Sequence, residues 1–142
     1  MSSAAADTRP VPAPDSISQF FWDGAAEGRL LIQKCTACGK YQYPPDVACT
    51  YCQCQTLEAT QVSGHGALYA HVVADRTFHE GFVEHLPYVV ALVELDEQPD
   101  LRMIANIVDC DHDQLVDGMR LEVTFERRGD ITLPQFRPEQ AR

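Results

Sequence analysis

Four cysteines in two C-x2-C pairs, Cys35/Cys38 and Cys49/Cys52, are separated by ten residues, and they constrain this chain more than any other feature. A C-x2-C turn brings two sulfurs toward one ion from a single knuckle. Two such knuckles therefore supply the four thiolates that tetrahedral zinc takes at about 2.3 Å. Gly39 follows the first pair, where a knuckle needs positive φ, and Pro44 and Pro45 stiffen the excursion to the second. A four-thiolate shell has no open position for water or substrate, so the expected metal is structural rather than catalytic. The stretch "CTYCQC" offers Cys54 as an alternative fourth ligand. Cys52 has the better-attested spacing, which leaves Cys54 as a bystander thiol.

The rest of the chain must then be built around a small ribbon. At 142 residues it has the size of one modest globular unit, and no apolar run approaches the roughly 20 residues of a membrane span. The N-terminal "MSSAAADTRPVPAPD" lacks the basic start and apolar core of a secretory signal. Residues 1–15 are expected to be a flexible leader on a cytoplasmic protein, and 139–142 a tail. In that compartment paired cysteines favour metal over disulfide. The formal charge is −10, and residues 75–130 hold fourteen Asp and Glu against five Arg. Such a surface repels phosphate backbones, which argues against nucleic acid as a partner.

Residues 16–60 read as a helix followed by the ribbon. Ser16 and Gln19 have capping-box spacing; Ile17, Phe20 and Phe21 share a helical face, and Gly28 is placed to end a helix spanning about 16–27. Trp22 falls off that stripe and is available to a partner. "RLLIQK" reads as a strand, and "QTLEATQVS" as a polar connection. Over 61–138 five β-branched and aromatic runs are separated by turn residues, and Gly64 and Gly66 bracket His65 at the first of them. "YVVALVEL", apolar almost throughout, is expected to be central; Leu121, Val123 and Phe125 alternate with polar residues. The fold class is mainly β with an N-terminal helix: a zinc ribbon followed by a five-stranded barrel of OB-fold type.

The series "FFWDGAAEGRLLIQKC", the double knuckle with "YPP", "SGHGALY", "PYVVALVELDE", "ANIVDCD", "GMRLEVTFE" and "LPQFRP" resembles a family long filed as a domain of unknown function. Its members join a rubredoxin-like zinc ribbon to an acyl-CoA-associated OB-fold, and the resemblance spans about 16–138. It implies a non-catalytic accessory subunit in a hetero-oligomer with a thiolase-like enzyme, a thiolase or an aldolase. That subunit would help form the acyl-CoA site for C–C bond cleavage or formation in lipid or aromatic degradation. A partner hydratase of hot-dog fold is the alternative within the family. Two departures stand out: the extra Cys54, and "DEQPDLRM" where a tighter glycine turn is expected.

No catalytic constellation is legible in the residues themselves. Cys110 sits between Asp109 and Asp111, whose charges oppose a thiolate, and "DCDHDQ" reads as a solvated turn. The loop "ADRTFHEGFVEHLP" offers exposed aromatics. Phe78, His79 and Phe82, with Trp22, are expected to contact CoA or a partner, and Arg76 to meet a CoA phosphate as a fork or to lie in the partner interface. The competing class is a free-standing nucleic-acid binder, since zinc ribbons and OB barrels both occur there; the acidic barrel opposes it.

Overall fold

The computed structural model describes residues 7–140. A helix, α1 (Gln19–Ala26), leads into an antiparallel sheet of β1 (Leu31–Cys35), β2 (Tyr41–Gln42) and β3 (Leu57–Gln61), in the order β2-β1-β3. The remaining strands are β4 (His65–Ala74), β5 (Tyr88–Leu95), β6 (Arg102–Ile107), β7 (Arg120–Arg128) and β8 (Ile131–Pro138). They close in the order β4-β5-β6-β8-β7, with β6 and β8 parallel, which is the strand order of an OB-fold. Short 3-10 turns occupy Glu80–His85 and His112–Gln114. Among the described residues no helix is long and apolar enough to cross a membrane.

The helix begins later than its spacing suggests, and the capping box does not form. Asp15 takes that role: its Oδ1 accepts the N–H groups of Ile17 and Ser18 and the Ser18 hydroxyl, so the chain turns once before α1 starts. The end is as the sequence implies. Gly28 takes φ +74, its N–H donates to Ala25 O, and Arg29 N–H donates to Gly24 O, the paired bonds of a Schellman stop. Of the expected stripe only Phe21 is buried; Ile17 precedes the helix and is exposed.

The stretch taken as a polar connection is strand β3. Its five residues pair with all five of β1, from Leu31↔Gln61 to Cys35↔Leu57. Its side chains are mostly exposed, so no apolar alternation marks it, and backbone pairing alone defines it.

One core runs through both halves. Phe136, Leu68, Leu121 and Val93 fill the barrel, and Phe21, Leu30, Ile32 and Val62 extend the same cluster under the ribbon. The glycines at the barrel entry are there for contact: a Cβ on Gly66 would lie 2.5 Å from Glu94 O, and one on Gly64 would lie 2.3 Å from Val123 Cγ1. β5 is central as expected, but its outward residues Val90 and Leu92 are only half-buried. The leader expected over 1–15 falls partly outside the described residues. Its described part has no regular structure and touches the barrel: Arg9 lies 3.8 Å from Glu126, and a Cβ on Gly81 would meet Thr8 O at 2.5 Å.

Candidate metal centre and docking face

β1 ends on Cys35 and the chain reverses at once through Cys38, where Gly39 N–H donates to Cys35 O and Gly39 takes φ +76. The second knuckle repeats the turn: Gln53 N–H donates to Cys49 O, with Gln53 at φ 67. Here a non-glycine residue accepts the left-handed conformation, at a cost on the order of 1 kcal/mol.

What carries the second knuckle to the first is a buried amide network that sequence reasoning missed. Gln33 on β1 grips the excursion at Asp46, its Nε2 donating to Asp46 O and its Oε1 accepting Asp46 N–H, both at 2.9 Å. Gln42 donates to Gln33 Oε1 and to Ala48 O and accepts Thr50 N–H at 2.8 Å. Two buried glutamines in a strand pair are the only sequence signal for such a clamp, since buried amides must find partners.

The four Sγ atoms of Cys35, Cys38, Cys49 and Cys52 lie within 4.8 Å of one another. Cys35–Cys52 and Cys38–Cys49 are each 3.6 Å apart. A tetrahedron with bonds of about 2.3 Å requires edges of about 3.8 Å, so the set fits zinc, whereas a disulfide needs about 2.05 Å. Local donors favour thiolates at the two buried positions. The Thr56 hydroxyl, 3.5 Å away, and then the Cys38 N–H pull the Cys35 thiol down to about 6. The Cys52 N–H, followed by that of Tyr51, lowers Cys49 against the cost of burial. Cys54 lies outside the group of four; its carbonyl accepts Cys49 N–H.

The departure "DEQPDLRM" turns out to join ribbon and barrel. The buried Gln98 accepts Tyr41 N–H and donates to Tyr41 O, both at 2.9 Å, and Glu97 accepts Ser63 N–H at 2.8 Å. A tight glycine turn has no side chain to make these bonds.

The residues expected to contact CoA or a partner do not form one group. Trp22 stands edge-on to Phe21, with centroids 4.9 Å apart, and Phe82 packs against Tyr88 at 5.3 Å; both line a single cavity of about 450 Å³ beside the barrel. Phe78 projects fully into solvent and is absent from that wall. His79 caps the 3-10 turn, its Nδ1 accepting Gly81 N–H at 3.0 Å. Arg76 is exposed. In Cys110, burial first and then Asp111 and Asp113 push the thiol up, as its flanking acids imply.

Sequence reasoning also missed the outer face of β4-β5-β6. Strand pairing sets Ala70, Leu92 and Ile104 in one row and Val72 and Val90 in the next; Ile104 is 65% and Val72 63% exposed. Tyr69, at a bulge, lies under the Arg102 guanidinium at 3.6 Å. Each run is apolar in the sequence, but only the pairing register reveals that they meet outside the barrel.

Fold and cysteine cluster together define a zinc-ribbon OB-fold protein. Residues 22–58 match the model of the ChsH2 rubredoxin-like zinc ribbon domain, and 59–126 that of the ChsH2 C-terminal OB-fold domain. The chain therefore belongs to the ChsH2, or DUF35, family. A DUF35 domain-containing scaffold protein of Methanothermobacter thermautotrophicus is 36% identical over 69% of this chain and 72% of its own length. A probable enoyl-CoA hydratase alpha subunit of Thermomonospora curvata is 36% identical over 92% of this chain, which spans 40% of that relative's length. A solved Ltp2-ChsH2(DUF35) aldolase superposes with TM-score 0.80 and 34% identity, over 90% of this chain and 98% of the other.

Proposed function

We propose that the chain is a non-catalytic accessory subunit. Its four cysteines hold one structural zinc, and the outer face of β4-β5-β6 docks on an acyl-CoA enzyme of thiolase or aldolase type and helps frame its thioester site. The observation carrying this reading is that exposed apolar face on a barrel that is otherwise acidic. A surface of this kind marks protein contact, because a solitary soluble domain gains nothing by exposing it. The zinc would supply folding free energy to a ribbon with little core of its own, and its closed thiolate shell leaves it no chemical step. The aldolase match supports the partner class. The similarity to a hydratase alpha subunit favours a second reading, in which the same face meets a hydratase.

The test is co-expression with a thiolase-like protein encoded beside the gene. Co-elution with a gain in acyl-CoA turnover is expected. Leu92→Asp, in the middle of the face, is expected to abolish co-elution without loss of zinc. Full turnover by the lone chain would refute the subunit reading, and unchanged co-elution of Leu92→Asp would refute the docking face.

A further inference from the structure

The barrel closes through a short seam. β6 and β8 share one ladder pair, Ile107↔Phe136. The next β8 residue whose backbone faces β6 is Pro134, which has no N–H with which to continue the ladder. Asn106 N–H turns instead to the side chain of Gln135, at 2.8 Å, and the Gln135 amide donates back to Asn106 Oδ1. The next backbone unit along that edge is Ile104. Strand alternation directs its N–H and C=O into the gap, because Leu101 O, of opposite parity, accepts Leu95 N–H from β5. The cavity of about 450 Å³ sits over this gap, with Ile104 and Pro134 in its floor and aromatic walls from Phe21, Trp22, Tyr43 and Tyr88.

The polar groups at this cavity include three donors, the Ile104 N–H, the Tyr43 hydroxyl, whose pKa burial raises, and Arg128, beside the Ile104 C=O and the side-chain amides of Asn106 and Gln135. Arg128 is 6% exposed; its Nη2 binds Glu126 and its Nε has no partner among the described residues. Aromatic walls take a flat or ring-shaped apolar body, and convergent donors take an oxygen acceptor.

We propose that the β6–β8 seam cavity binds a small ring-bearing molecule through a carbonyl or carboxylate oxygen. The site is built wholly from this chain. It does not depend on the docking reading and stands if no partner is found.

Trp22 is the chain's only tryptophan and lies in the wall, so its emission reports on the cavity directly. The zinc-loaded full chain is titrated with 2-naphthoate and, separately, with neutral 2-acetylnaphthalene, and calorimetry is run in parallel. Saturable quenching is expected with Kd of about 0.01 to 1 mM, the range ordinary for ligands of this size. Tighter binding of the naphthoate assigns a carboxylate, and tighter or equal binding of the ketone assigns a carbonyl. Val90→Phe places bulk in the wall from an outward position and is expected to weaken either probe at least about tenfold, with zinc content and melting temperature unchanged. Absence of saturation by both probes, or equal affinity in a folded Val90→Phe protein, overturns the proposal.

Discussion

The contact between ribbon and barrel rests on Gln98, and Gln98→Ala tests how much that side chain contributes. The substitution removes two bonds of 2.9 Å to the backbone of Tyr41, one donated and one accepted, from a residue only 9% exposed. Each such bond contributes about 0.5–1.5 kcal/mol net, so the loss is expected to total about 1–3 kcal/mol. For a chain of this length that is a fall in Tm of roughly 3–10 °C. β2 lies at the edge of the ribbon sheet, with no further strand among the described residues to take over the freed Tyr41 groups. The assay is a thermal melt of zinc-loaded protein followed by far-UV circular dichroism, with zinc content measured in parallel. Both Gln98 side-chain bonds go to the backbone of Tyr41 and neither to a cysteine, and zinc content is expected to hold. Gln98→Glu keeps the acceptor for Tyr41 N–H but sets a carboxylate oxygen against Tyr41 O, and it is expected to melt no higher than the alanine variant. A shift below about 1 °C for Gln98→Ala would refute the reasoning, since the freed groups would then be paired as well by water.

Metal analysis is expected to give about one zinc per chain, lost in Cys35→Ser and retained in Cys54→Ser, because Cys54 stands outside the group of four. Asp96 accepts two hydrogen bonds from Arg120, which holds its carboxyl below the usual carboxylate range. A depressed carboxyl stabilises the fold above its unfolded pKa of about 3.9 and loses that contribution as pH falls through the lower folded value. Asp96→Asn is therefore expected to lower Tm slightly at neutral pH, the difference closing as acid is added. Both side chains are more than two-fifths exposed, so the effect should be small and reduced by salt. Melts at two salt concentrations across that pH range check the sign.

Much of this architecture was legible in the residues because its strongest signals are local. The knuckle spacing, the Gly28 helix stop, the five barrel runs and the glycines flanking His65 each act within a few positions. Strand β3 was not legible: its side chains mostly face water, and it exists through backbone bonds to a partner 22 to 30 residues away. The start of α1 lies later than its spacing implies because Asp15 captures the N–H groups of Ile17 and Ser18 and holds residues 16–18 in a turn, so the helix begins at Gln19. Phe78, His79 and Arg76 looked equivalent to Phe82 as loop residues, whereas the loop's 3-10 turn carries Phe82 into the cavity wall and leaves Phe78 in solvent.

By itself the sequence determined the ribbon, the barrel and their order, because cysteine spacing and two-residue periodicity are properties of contiguous chain. Tertiary structure decided which surfaces those elements share. Register set Ala70, Leu92 and Ile104 in one exposed row, Gln98 locked the ribbon to the barrel across 57 positions, and Pro134 cut the β6–β8 ladder short. Each of these depends on pairing between residues distant in the chain, and local pattern does not encode such pairing.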